Sequence, residues 1–351
     1  MAKINGKGRI EEPTQEEKDG LEQSEAYHTL ERNSLDLLKC FTEEPAPLDF
    51  VLPGFVAGTV GTLFSPGATG KSFLTIQAAM GVACRVASGD VLNLQPAASG
   101  RVVYIAAEDP ATVLNTRLYA IAQHLPPVAR ESIIENLTIH PTMGRGLDLG
   151  KRSHCEGIVN YTEGARLIVI DTISRVHTLE ENSNSDMSKL LQNLEFIALR
   201  TGAAVLFLHH ISKGAATSGQ GATQQAARGA SVLTDNARWG AALTTMSEGE
   251  AQDWSDDTSL KPVGELRKWY VKMSFPKPNY GPPMDDWWFK RVEGGVLVPV
   301  TLIPVNGKPK PEKAGRGRKA EDDVPDPLAT SNGLRIRPAA AASQVIDEEK
   351  W

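Results

Sequence analysis

The sequence predicts an α/β fold built on a mostly parallel, doubly wound sheet. Four short β-rich runs carry that prediction: TVGTLF (59–64), RVVYIA (101–106), RLIVID (166–171) and AVLFLH (204–209). They are continuously apolar rather than alternating, as strands buried on both faces are. Helical stretches separate them, over 72–84, 109–124, 127–135 and 186–201. The last carries Met187, Leu190, Leu191, Leu194, Ile197 and Ala198 at helical spacing. Strand–helix alternation of this kind puts helices on both faces of a parallel sheet. Further on, WYVKMSF (269–275) and DWWFKRVEGGVLVPVTLI (286–303) read as extra C-terminal strands extending that sheet.

Taken in order, residues 1–33 are polar, with Glu11, Glu12, Glu16, Glu17 and Asp19 close together. Such a stretch buries too little apolar area to offset its ordering entropy and is expected to be a disordered arm. Residues 34–47 hold a short amphipathic helix, with Leu35, Leu37, Leu38 and Phe41 on one side, ended by Pro45 and Pro47. Residues 48–305 form the main domain, and 306–351 a disordered charged tail that opens with NGKPKPEKAGRGRK. The basic block of that tail reads as a solvated charge run, with nucleic-acid contact as the alternative.

Composition narrows the classes. The 351 residues are 41% hydrophobic and 23% charged, which excludes fibrous and wholly disordered proteins. A formal charge of −6 argues against a general basic surface for nucleic acid, so any such contact must come from a local patch or from assembly geometry. Cys40, Cys84 and Cys155 are too far apart for a zinc knuckle or redox pair. The N-terminus lacks an apolar h-region and the longest apolar run is too short for a bilayer, so a cytoplasmic protein without membrane contact is expected.

The sharpest motif is Ser65-Pro66-Gly67-Ala68-Thr69-Gly70-Lys71-Ser72, between a buried strand and an apolar helix. Glycines let successive N–H groups turn inward toward phosphate oxygens, and the helix N-terminus adds its positive end. Lys71 supplies a compact charge for the β/γ-phosphates, and the Ser72 hydroxyl suits Mg²⁺. Pro66 to Ser72 are thus the expected nucleotide-binding segment. Ser65 stands where the usual pattern has glycine. Other strands end in chemistry as well: Glu108 and Asp109, Asp171, and His209 with His210. Ligands of open parallel sheets sit at the carboxyl ends of strands, so these groups should meet the phosphate loop. Asp171 suits a second Mg²⁺-organising carboxylate, Glu108 a general base, and His210 a γ-phosphate sensor. Singly each has a plainer role: helix cap, capping carboxylate, satisfied core histidine.

These residues carry a resemblance. The segments LDFVLPGFVAGTVGTLFSPGATGKS (48–72), VVYIAAEDP (102–110), LIVIDTISRVHTLEEN (167–182), FLHHISKGAA (207–216) and RGASVLTDNARW (228–239) are similar to the RecA-like hexameric DNA helicases of plasmid replication, the RepA family of P-loop ATPases. KPNYGPPMDDWWFKRVEGGVLVPV (277–300) continues the likeness, which spans about 35–303. That family also accepts serine at the first loop position. The resemblance implies a RecA-like P-loop core, with Lys71 and Ser72 binding nucleotide and Mg²⁺. It makes Glu108 the catalytic glutamate, Asp171 the Walker B aspartate and His210 the phosphate sensor. It further implies that Arg238 is an arginine finger reaching the ATP of the adjacent subunit, although alone it reads as a surface arginine.

The same resemblance implies a homo-hexamer with single-stranded or forked DNA in its channel, served by replication initiator and primase proteins. A ring reconciles an acidic subunit with a polyanion, because six copies of one loop converge. The candidate loop is 211–229, rich in Gly, Ala, Ser, Thr and Gln, with Lys213 and Arg228 near its ends as DNA contacts. Long loops without periodicity are functional or disordered, and small polar groups grip a backbone without reading sequence. The acidic arm and the tail exceed the compact family pattern. Two alternatives stay open: a RecA-like DNA-associated ATPase, recombinase-type or regulatory, without unwinding; and a non-catalytic binding module with a degenerate loop.

Overall fold

The computed structural model describes residues 15–211 and 231–305. Helix α1 (Gln15–Arg32) and the short α2 (Leu37–Thr42) precede the sheet, and β1 (Phe50–Leu52) pairs with β2 (Phe55–Val56). The core then runs β3 (Val60–Ser65), α3 (Lys71–Ala83), β4 (Arg101–Ala106), α4 (Ala111–Ala122), α5 (Pro127–Asn136) and β5 (Leu137–Pro141). It continues through α6 (Arg152–Tyr161), β6 (Ala165–Asp171), α7 (Asn184–Thr201), β7 (Ala204–His210), α8 (Ser231–Asn236) and β8 (Trp239–Thr245). After α9 (Glu248–Asp253) and β9 (Trp254–Ser255) come β10 (Tyr270–Pro278), β11 (Trp287–Arg291), β12 (Leu297–Pro299) and β13 (Ile303–Pro304).

Among the described residues the main sheet has nine strands in the order β12-β11-β10-β8-β3-β7-β6-β4-β5. The pairs from β8 through β5 are parallel; β10, β11 and β12 join antiparallel. The expected α/β, doubly wound sheet with C-terminal extra strands is therefore what the chain forms. Alternate residues of each central strand serve opposite faces. On β6, Leu167 and Val169 pack with Leu114 and Ile121 of α4 and Ala129 and Ile133 of α5. Ile168 and Ile170 pack with Ile158 of α6 and Leu190, Leu194 and Ile197 of α7. Both layers bury their side chains almost completely, which is why these strands lack polar alternation.

β7 lies between β3 and β6. The strand ends that carry Ser65 and Asp171 are thus separated by one strand, and that strand ends in His210. Gly61, near the start of β3, is dictated by packing: a Cβ there would stand 2.8 Å from the Phe55 ring and 3.1 Å from Trp239, which stack on each other.

Four expectations change in detail. Residues 15–32 were expected in a disordered arm and are instead helical; Ala, Leu, Glu and Gln favour the helix locally, and Gln15 donates to Asp19 one turn on. Positions 1–14 lie outside the described residues, as do 306–351. The helix expected from Ser34 begins at Leu37, because Asp36 caps it by accepting from the Lys39 N–H. Leu35, Leu37, Leu38 and Phe41 are exposed, so nothing among the described residues covers them. The helix expected from 109 begins after Pro110. In the 286–303 segment, β11 and β12 extend the sheet, but β13 leaves it to pair with β9. Cys84 and Cys155 are buried, Cys40 is exposed, and all three are free thiols.

Candidate functional site

The parallel register sets Ser65 beside His210 and Ala106 beside Asp171, so the chain's reactive groups collect along one edge of the sheet. The loop after β3 turns with Ala68 at φ 63° and Gly70 at φ 105°. The Thr69 hydroxyl donates to the Pro66 carbonyl and braces the turn. Gly70 tolerates no side chain: besides its left-handed φ, a Cβ would stand 2.9 Å from Arg291 Nη2. Gly70 is also the N-cap of α3 and offers no side-chain cap, so the first N–H groups of that helix point outward unclaimed by a cap, an anion-binding arrangement.

Serine at position 65 has a structural reason. It is the last residue of β3 and is not among the positive-φ positions, so glycine is not required there. Its carbonyl and hydroxyl instead accept from Lys71 Nζ at 3.2 and 3.0 Å. Lys71 Nζ also lies 3.1 Å from His210 Nδ1, and His210 Nε2 lies 3.2 Å from Glu108 Oε2. With an ammonium donor on one side, Nδ1 accepts and the Nε2–H donates to the carboxylate, a tautomer assigned from this network. Lysine, histidine and glutamate therefore form one hydrogen-bonded chain from the start of α3, through the end of β7, to the segment that follows β4.

Burial lowers the Lys71 pKa to about 8, against the opposing pull of Asp171 and Glu108. The folded value is below the usual 10.5, so the folded state carries the cost of a charged buried amine at all pH below about 8, and that cost fades as pH rises toward 10.5. Lys71→Met is accordingly expected to stabilise the protein at pH 7, by on the order of 1–3 kcal/mol. The gain should shrink between pH 8 and 10.5 in chemical denaturation; an unchanged midpoint at pH 7 would contradict the burial.

Asp171 is buried beneath the loop. Burial raises its pKa, the hydroxyls of Tyr104 and Ser72 hold it down, and the charges of Glu108 and Asp109 push it up again. Tyr104 donates to Asp171 Oδ2 at 2.6 Å. The Ser72 hydroxyl bonds the buried Asp171 carboxylate, with the charges of Glu108 and Asp109 close by; a divalent cation would relieve the repulsion of this hard-oxygen set, so Ser72 and Asp171 fit Mg²⁺. Asp109 is engaged separately by Arg117. His209, by contrast, is buried with its pKa lowered to about 4, first by desolvation and then by His210 and Lys71, so it stays neutral at pH 7.

The cleft measures about 260 Å³ and is lined by Lys71, Ser72, Glu108, Asp109 and His210, while Asp171, bonded to the Ser72 hydroxyl, is not among its lining residues. Ala68, Thr69 and Gly70 line it as well, while Pro66 and Gly67 do not. Arg238 is not brought here: it is exposed at the start of β8, its N–H donating to Val60 O at the opposite end of β3. Lys213 and Arg228 lie outside the described residues. A larger cleft of about 760 Å³, lined by Trp254, Trp287 and Trp288, contains none of the phosphate-loop residues.

Sequence reasoning missed Phe73, Arg117, Arg291 and Gly295, which also line the site, and Tyr104 beneath it. Arg117 sits two helical turns beyond Asp109, a spacing that could have suggested their pairing. Nothing local marks Arg291, some 220 residues from the loop it touches.

A family profile described as AAA domain matches residues 27–216, more than half of the chain. The chain belongs to the AAA domain family. Solved structures resemble this AAA domain in architecture. A DnaB-like replicative helicase, described with its interactions with primase, matches at 14% identity over 78% of this chain and 70% of its own, with a TM-score of 0.53. A solved ATPase domain matches at 13% identity over 80% of this chain and 97% of its own, TM-score 0.48. The RadB recombinase matches at 16% identity over 69% and 90%, TM-score 0.44. At these identities the likeness is one of fold, and the first of the three carries it. Family and fold together give the chain a RecA-like P-loop fold. Among the described residues no helix is long and apolar enough to cross a membrane.

Proposed function

We propose that this AAA domain protein is an ATP-driven, ring-forming DNA helicase acting in plasmid or phage-like replication, with ATP hydrolysed between subunits. The observation that carries the proposal is the chain Lys71–His210–Glu108. Lys71 and the amides of residues 67–72 bind the triphosphate, Glu108 orients and deprotonates the attacking water, and Arg238 reaches the phosphates of a neighbouring subunit. Mg²⁺, held by Ser72 and Asp171, supplies charge neutralisation on the phosphates when bound.

His210 joins the lysine at the phosphates to the glutamate at the water, and it ends β7. The chain continues from it into the segment carrying Lys213 and Arg228, so loss of the γ-phosphate re-sorts the hydrogen bonds of the residue that leads into the DNA-contacting loop. A single-chain cleft of about 260 Å³ falls below the ~300–1,000 Å³ of ordinary ligand pockets, as expected of a site that a second subunit completes. The exposed Leu35, Leu37, Leu38 and Phe41 supply apolar surface for that contact. Initiator and primase proteins are proposed partners.

Mass measurement of the purified protein with a non-hydrolysable ATP analogue, followed by ATPase and forked-duplex assays, tests this. A nucleotide-dependent hexamer, DNA-stimulated hydrolysis and strand separation are expected. Stimulated hydrolysis without strand separation would favour the recombinase-type or regulatory ATPase, and absence of nucleotide binding would sink both.

A further inference from the structure

We propose that Arg291 is a phosphate ligand supplied in cis by the antiparallel extension, through which nucleotide occupancy is coupled to the packing of β11 and β12. This rests on the cleft being a nucleotide site and extends it to a strand outside the parallel core.

Arg291 ends β11 and reaches back over the phosphate loop, where its Nη2 donates to the Thr69 carbonyl at 2.8 Å. A guanidinium has five donors in a rigid fork, shaped for carboxylate or phosphate. Here Nε is buried and has no partner among the described residues, although the side chain lines the same cleft as Lys71 and Ser72. The nearby acids are engaged elsewhere: Asp109 with Arg117, and Glu108 with His210. A half-buried cation held by one neutral carbonyl is under-satisfied, and the anion that the adjoining loop is built to bind completes it.

The extension is clamped to the loop's own helix, which keeps the guanidinium in place. Gln77 of α3 donates to Leu297 O at 2.7 Å and accepts from Leu297 N at 3.0 Å, fixing β12. Gly295 lies so close to Phe73 that a Cβ would meet the ring at 3.0 Å. Phosphate binding at Arg291 therefore pulls on strands already tied to α3.

The test uses the full chain, a fluorescent ADP and a non-hydrolysable fluorescent ATP analogue, with magnesium, and hydrogen exchange of β11 and β12. Arg291→Gln is expected to weaken both nucleotides about 10- to 100-fold, Arg291→Lys less, since an ammonium keeps the charge but loses the fork. Nucleotide should protect the amides of β11 and β12 in the wild type and not in Arg291→Gln, while protection of β3 and β7 without nucleotide is unchanged. A role confined to bracing Thr69 would leave the protection response intact. If Arg291→Gln binds within twofold of wild type and shows the same response, the proposal is overturned. If Arg291→Gln fails to fold, Arg291→Lys decides, and wild-type affinity there overturns it. Wild-type protein that binds neither nucleotide would instead overturn the nucleotide site itself, and this proposal with it.

Discussion

Glu108→Gln is expected to bind Mg²⁺·ATP as the wild type does and to hydrolyse it about 10²–10⁴-fold more slowly. The substitution keeps size and hydrogen-bonding reach, so His210 retains a partner at the 3.2 Å contact. It removes only the capacity to take a proton. The phosphate-binding groups, Lys71, Ser72 and the loop amides, are untouched. The structure also separates Glu108 from its neighbour. Asp109 is paired with Arg117, whose guanidinium in turn lies over the Phe73 ring. A carboxylate tied to arginine is a poor base, whereas Glu108 faces the cleft with a histidine as its only partner among the described residues. Single-turnover phosphate release with saturating ATP checks this, alongside nucleotide affinity. Near-wild-type turnover in Glu108→Gln would move the base elsewhere.

Much of this arrangement is legible in the sequence, for reasons specific to its parts. The phosphate loop is local: strand, turn and helix start within about a dozen residues, so loop chemistry and context can be read together. Glu108, Asp171 and His210 are far apart in sequence, but each follows an unbroken apolar run, and the parallel rule alone collects their strand ends. The runs were readable because both faces of β4, β6 and β7 are buried. Where burial is one-sided or weak, the signal fades. β5 (LTIHP) is only partly buried, β8 (WGAALTT) is built from small residues against β3 and β10, and α1 is a solvated helix whose composition resembles a disordered arm. Tyr104 was hidden differently: inside a buried run it reads as one more apolar residue, yet its hydroxyl fixes Asp171. Arg291 and Gln77–Leu297 depend on the path of the extension across the loop, which no short-range pattern encodes.

Arg238→Ala is expected to bind ATP yet lose on the order of 10³–10⁵ in hydrolysis, the usual contribution of an arginine finger. Geometry decides that any such role is exercised in trans. The Arg238 N–H bonds Val60 at the start of β3, and the phosphate loop follows Ser65 at its end. Five strand residues at ~3.3 Å each separate the two by about 17 Å, more than an arginine side chain spans. Its own cleft is out of reach, so the proposed role requires a head-to-tail contact that would set the start of one subunit's β8 against the next subunit's cleft. Mixing then gives a sharp expectation. Lys71→Ala subunits lack a working phosphate loop but keep Arg238; Arg238→Ala subunits have the reverse. In an equal mixture with random neighbours, about a quarter of the interfaces combine an intact loop with an intact arginine, so two inactive proteins should regain about that fraction of wild-type hydrolysis. Full activity of Arg238→Ala alone would remove the residue from the reaction. Inactivity of the mixture, in rings shown by mass to be mixed, would make its effect internal to one subunit.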